Sequence, residues 1–188
     1  FDESKTYMRS LDVMITTRCS LKCVSCSNLM QYYKEPKNSE QDNTLAALEI
    51  LNKSVDHISE FRVIGGEPLM NRDWEKIVQG IIDKNPERKV FIYTNGTIAP
   101  KDDKLEPFKG NQNINFVITE YGELSKNLYN LHNQLDKFEI NYSSTVADNW
   151  VDCSTIKHHK RTAAENREVF KQCCVKYLYT LLDGKLYR

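Results

Sequence analysis

The chain has 188 residues, enough for one domain with a sizeable core. Its 26 Lys and Arg balance 26 Asp and Glu, so no broad field favours nucleic acid or an anionic membrane, and no run approaches the roughly 20 apolar residues of a membrane span. Three of the six cysteines lie too close together for a useful disulfide framework, which favours a reduced, metal-binding protein of the cytoplasm. The sequence opens at Phe1 without an initiator Met and stops at Arg188 inside a predicted strand, so it reads as a fragment whose N-terminal targeting is open.

Leu11 to Thr16 is a β-favouring run that leads straight into a loop of cysteines. From Asn43 to Val55, Leu45, Leu48, Leu51 and Val55 fall at helical spacing. Phe61 to Ile64 is the next strand, ended by Gly65-Gly66-Glu67-Pro68. Trp74, Ile77, Val78, Ile81 and Ile82 then trace the stripe of an amphipathic helix that closes near Pro86. Val90 to Thr94 is a third strand ended by Asn95-Gly96, Lys101 to Lys109 a weak helix, and Ile114 to Thr119 a fourth strand. Leu124, Leu128, Leu131 and Leu135 mark a further helix, and Phe138 to Tyr142 a fifth strand. Strands alternating with helices predict βαβ units in a parallel sheet, an open sheet or a partial barrel, with the loops after the strands gathered at one edge. Beyond about residue 149 the pattern changes. Thr162 and Glu165 form a capping box before a helix reaching Cys173 and Cys174, and Tyr177 to Leu182, Asp183-Gly184 and Lys185 to Tyr187 read as a β-hairpin.

Cys19, Cys23 and Cys26 have C-x3-C-x2-C spacing, so three thiolates can close on one face of a small metal centre. A four-iron cluster normally takes four cysteines, so a triplet leaves one iron without a protein ligand, as a reactive site requires. The competing reading is a zinc knuckle, which needs a fourth ligand; the nearest histidine, His57, lies beyond a predicted helix. Glycines at a strand end, as in Gly65-Gly66-Glu67-Pro68, let backbone carbonyls approach a ligand, and a carboxylate beside them can accept from an ammonium group. Asn95-Gly96 is also an ordinary turn signal.

Through these motifs the chain resembles the radical S-adenosylmethionine (SAM) family: the cysteine triplet after strand one, Gly65-Gly66-Glu67-Pro68 after strand two and Thr94-Asn95-Gly96 after strand three. The ending Leu182 to Tyr187 resembles the start of the twitch or SPASM extension that carries auxiliary clusters in many members. The resemblance implies an α/β fold of the partial (β/α)6 TIM-barrel type over residues 1–148, with a short C-terminal helix and β-hairpin appendage over 149–188. It implies that Cys19, Cys23 and Cys26 bind three irons of a [4Fe-4S] cluster while the fourth iron chelates SAM. Gly65, Gly66 and Glu67 would receive the SAM amino group, and Thr94, Asn95 and Thr119 would contact SAM at the ends of strands three and four. A reduced cluster would cleave SAM to a 5′-deoxyadenosyl radical that takes hydrogen from a peptide or small-molecule substrate, fed by a low-potential electron donor. The loop from Tyr33 to Asn43 is the expected lid. Two features depart from the family: Ser25 stands where many members have an aromatic residue, and the predicted fifth strand has no glycine-rich motif. Cys173, Cys174 and, less favoured, Cys153 are candidate ligands of an auxiliary iron–sulfur cluster; the alternative is ordinary core thiols. A non-catalytic metal-binding module or partner subunit is the alternative for the whole chain.

Overall fold

The computed structural model describes residues 2–148 and 157–188. Its chain order is β1 (Tyr7–Thr16), α1 (Gln41–Ser54), β2 (His57–Gly65), α2 (Trp74–Lys84), β3 (Lys89–Thr94), α3 (Asp102–Leu105), β4 (Ile114–Glu120), α4 (Leu128–Lys137), β5 (Asn141–Val146), α5 (Ala163–Lys171), β6 (Tyr179–Leu182) and β7 (Lys185–Tyr187). One sheet runs β5-β4-β3-β2-β1-β6-β7, and every neighbouring pair is parallel except the β6–β7 hairpin. The sixth parallel strand therefore flanks β1 rather than β5.

Period-two alternation gives the sheet two different faces. Leu11, Val13 and Ile15 of β1, Phe61 and Val63 of β2, Val90 and Ile92 of β3 and Ile114, Phe116 and Ile118 of β4 are all fully buried. They form one core with Leu48 of α1, Trp74, Ile77, Val78 and Ile81 of α2 and Leu131 and Leu135 of α4. The opposite face carries Asp12, Arg62, Tyr93 and Thr119 together with Met14 and Ile64, which form a small second apolar cluster with Met30. Because the strands are parallel, their C-terminal ends share one edge, where the cysteine loop and the glycine turn meet.

Several predicted boundaries move, three of them for a clear local reason. α4 starts at Leu128 rather than near Leu124, because Gly122 at φ 58° breaks the helical run and Leu124 is 60% exposed in a separate 3-10 turn. β5 starts at Asn141, not Phe138. Glu139 sits at φ 53° as the left-handed residue after α4, Ile140 N donates to Leu135 O and Glu139 N to Asp136 O. That pattern ends a helix, so Phe138 and Ile140 are buried as its cap and not as a strand. α5 stops at Lys171, leaving Cys173 half-buried and Cys174 exposed in the following turn; the Thr162–Glu165 capping box is formed in both directions. Cys153 lies outside the described residues.

The hairpin turn has Asp183 at φ 48° and Gly184 at φ 75°, the double positive φ of a type I′ connection. Leu181 of β6 is 4% exposed and belongs to the main core. Among the described residues, no helix is long and apolar enough to cross a membrane.

Candidate active site

The cysteine loop leaves β1 at Thr16 and is fastened from two sides. Gly66 N donates to Thr16 O at 3.1 Å and Glu67 N to Arg18 O at 2.9 Å, so the glycine turn of β2 extends the β1–β2 pairing into the loop. A side chain at either glycine would collide with that loop: an added Cβ at Gly65 would lie 2.6 Å from Thr16 O, and at Gly66 2.3 Å from Arg18 O. Both glycines also line a cavity, but their absent side chains are first needed for strand-to-loop packing.

Glu67, which the resemblance assigns to the SAM amino group, is fully buried and is not among the residues that line the cavity. Its carboxylate accepts from Leu69 N at 3.1 Å, Asn95 N at 2.8 Å and Thr94 Oγ1 at 2.9 and 3.0 Å. Burial pushes its pKa up to about 7 against these donors. Glu67 therefore ties the β2 turn to the β3 turn. Thr94 and Asn95 do border the cavity, although their polar atoms are largely committed. Asn95 Nδ2 donates to Ser20 Oγ at 3.1 Å and reaches Cys19 Sγ at 3.9 Å, and Ser20 Oγ shares a 2.6 Å hydrogen bond with Thr97 Oγ1.

Cys19, Cys23 and Cys26 are thiols and half-buried. Burial pushes both the Cys19 and Cys23 thiols up; the Glu67 carboxylate and then Cys23 and Cys26 add to this at Cys19, and Cys26 adds to it at Cys23. Leu21 N donates to Cys19 Sγ at 3.4 Å, and the Tyr121 hydroxyl hydrogen-bonds Cys23. Among the described residues no group of three or more His, Cys, Asp or Glu side chains is gathered closely enough to hold a single metal ion. N–H and O–H donors to cysteine sulfurs are among the features that tune the potential of an iron–sulfur cluster.

A cavity of about 320 Å³ adjoins the loop, of the size that takes a small molecule. Gly65, Gly66, Thr94, Asn95 and Thr119 border it at the strand ends, Ser27 and Asn28 come from the cysteine loop, and Asn28 Nδ2 donates to Gly65 O at 3.3 Å. Thr119 is half-buried there. Asp12, Arg62, Tyr93 and Tyr121 complete the wall, and the sequence reading missed all four. A signal was present: Asp12 stands between Leu11 and Val13, and Arg62 between Phe61 and Val63.

The expected lid is not over this cavity. The segment from Lys37 to Ser39 is paired onto the end of β1: Thr17 N donates to Lys37 O and Ser39 N to Ile15 O, both at 2.9 Å, and Thr16 Oγ1 donates to Asn38 Oδ1 at 2.7 Å. Asn71 Nδ2 bridges Ile15 O and Ser39 O from below. A segment held by that many backbone bonds is a wall of the fold. Val175 and Leu178, just before β6, border the cavity instead.

Fold and site together define a parallel α/β protein with three neighbouring cysteines beside a cavity at the strand ends. A family model described as the Radical SAM superfamily matches residues 13–119. The chain belongs to the radical SAM superfamily, whose members use a [4Fe-4S] cluster and SAM. It is 34% identical over 99 residues to a probable GTP 3′,8-cyclase of Methanococcus maripaludis strain C6, and 30% identical over 100 residues to the GTP 3′,8-cyclase of Nautilia profundicola. Those matches cover 50% and 51% of this chain but 30% and 29% of the relatives, so the chain aligns with under a third of their length. Among solved structures, BtrN in complex with AdoMet and 2-DOIA is similar at TM-score 0.53 and 18% identity over 74% of this chain and 57% of that one. The anSMEcpe structure with bound AdoMet and Cp18Cys peptide gives TM-score 0.53 and 19% identity over 73% and 42%.

Proposed function

We propose that this chain is the cluster- and SAM-binding part of an enzyme that generates a carbon radical and directs it at a substrate C–H bond. The observation that carries this is the convergence of Cys19, Cys23 and Cys26 with a cavity bordered by Gly65, Gly66, Thr94, Asn95 and Thr119 at one sheet edge. When bound, the cluster supplies one electron to the sulfonium of SAM, whose cleavage yields methionine and the 5′-deoxyadenosyl radical. The chain's residues do the holding. The three thiolates bind iron, and Asn95, Leu21 and Tyr121 donate hydrogen bonds toward Cys19 and Cys23. In this reading the backbone of Gly65 and Gly66 faces the SAM amino group, Glu67 braces that turn from behind, and Thr119 contacts the bound cofactor. Val175 and Leu178 keep water from the radical.

The curated relatives are named for action on GTP, but the match covers under a third of them. We therefore read the substrate, a peptide or small molecule, from the cavity. A low-potential electron donor completes the cycle. An auxiliary cluster on Cys173 and Cys174 belongs to the same proposal and needs further ligands beyond those two adjacent thiols.

Anaerobic reconstitution with iron and sulfide, then SAM and dithionite, tests the reading. Wild type should release 5′-deoxyadenosine and Cys23→Ala should not. Zinc at one per chain without iron, or a complete cluster that yields no product, would refute it.

A further inference from the structure

The cavity wall carries charge that cluster binding does not use. Asp12 of β1 and Arg62 of β2 are direct register partners, and Arg62 Nε donates to Asp12 Oδ1 at 2.5 Å. Asp12 is 3% exposed, and the Arg62 guanidinium lies 5.7 Å from the Tyr93 ring centroid. Asp12 stands four residues before Thr16, about 13 Å along the strand from the cysteine edge at the usual rise. The pair thus forms the floor of the cavity, and the cysteine loop its rim.

Taking the Asp12 charge out of water costs several kcal/mol even beside the partly exposed Arg62, and well-packed apolar side chains in such places are often at least as stable. Leu11, Val13, Phe61 and Val63 flank the pair in sequence and fill their own positions that way. A task other than stability explains the pair better. Asp12 takes the Nε–H of Arg62 and the Tyr93 hydroxyl also bonds the guanidinium, which leaves the remaining terminal N–H groups of Arg62 as donors and the second Asp12 oxygen as an acceptor. The two charges cancel, and no other charged side chain borders the cavity. On β4, Asn115 alternates onto the same face as Thr119, and its Oδ1 is a buried acceptor without a hydrogen-bond partner among the described residues.

We propose that Asp12 and Arg62 form a neutral donor–acceptor floor that binds an uncharged amide-type group of the substrate, its carbonyl on Arg62 and its N–H on Asp12, and that excludes polyanions. A polyphosphate would bring several negative charges into a confined space with no surplus positive charge to meet them. This inference rests on the cavity being the reaction chamber.

The test is calorimetric titration of the reconstituted protein with N-acetylglycinamide and, at matched ionic strength, with sodium tripolyphosphate. The amide should bind wild type at least tenfold more tightly than tripolyphosphate, a contrast that needs no variant to fold. Arg62→Lys keeps the charge but loses the planar fork, and should weaken amide binding at least fivefold. Asp12→Asn leaves the Arg62 charge uncancelled and should tighten tripolyphosphate binding at least tenfold. Wild type preferring tripolyphosphate, or both variants behaving as wild type, overturns the proposal. Binding is read without turnover. A protein that holds the amide yet makes no 5′-deoxyadenosine refutes the enzyme reading alone, and the reverse result refutes the amide floor alone.

Discussion

Replacing Gly66 with alanine asks whether the glycine turn exists to hold the cysteine loop in place. Gly66 is not in the left-handed region, so alanine meets no backbone strain of its own. What it meets is space already filled: the new Cβ would lie 2.3 Å from Arg18 O and 2.5 Å from Cys19 Cβ. Both atoms are fixed to the backbone, so relief means moving turn and loop apart by roughly 1 Å, the shortfall from ordinary contact. That movement breaks into the hydrogen bonds from Gly66 N to Thr16 O and from Glu67 N to Arg18 O. Overpacking of this kind costs about 1–3 kcal/mol and each lost hydrogen bond about 1 kcal/mol, so a loss of about 3–5 kcal/mol is expected. Urea unfolding of the apoprotein would measure it, and iron content after reconstitution should fall several-fold because Cys19 is displaced. Gly110→Ala is the control. It has φ 67° with nothing within 4 Å of an added Cβ, so it should cost about 1 kcal/mol and leave iron uptake intact. A Gly66→Ala protein with wild-type stability and full iron would refute the reasoning.

Three further predictions follow from the same geometry. Glu67 has its folded pKa raised from 4.5 to about 7, so the folded chain binds that proton more tightly than the unfolded one. Its contribution to stability is full below pH 4.5 and lost as pH rises through 7, worth about 3 kcal/mol, and Glu67→Gln should flatten that slope in urea midpoints taken at pH 5 and pH 8. An unchanged slope would show that another group titrates. Tyr121→Phe removes the hydroxyl that bonds Cys23. In the cluster-loaded protein the midpoint potential should fall by some tens of millivolts, as loss of a hydrogen bond of about 1 kcal/mol to a thiolate requires; an unmoved potential in a redox titration would remove Tyr121 from the cluster's surroundings. Leu181→Ala should cost about 2–4 kcal/mol in global unfolding, because Leu181 is buried in the main core beside β1. A loss under about 1 kcal/mol would mean that the hairpin opens apart from the sheet.

Much of the molecule was legible because it depends on local patterns. The α2 stripe from Trp74 to Ile82 became a helix of Trp74–Lys84, and four of the first five strands fall where apolar β-formers predicted them. The exceptions have local causes that hydrophobic periodicity does not encode. Leu124 fits a helical stripe by spacing, but Gly122 turns the chain before it, and Phe138 looks like strand although it caps α4 beside a left-handed Glu139. Periodicity counts apolar residues and is blind to the single dihedral that redirects them.

The cysteine spacing by itself pointed to a small metal centre, since which thiolates can share one is a matter of a few residues of loop. The strand-and-turn order likewise determined that the motifs after strands one, two and three meet at one edge, because parallel strands all end on the same side. Tertiary structure alone decided which way each of those side chains faces. Glu67 turns inward to brace two turns, Lys37 to Ser39 are pinned along β1 instead of closing a lid, and β6 adds to the β1 edge. It also decided that Asp12 and Arg62, fifty residues apart, share one register position on the cavity floor. Long-range pairing sets these outcomes, and a sequence read in local windows contains no distance between residues that only the folded sheet brings together.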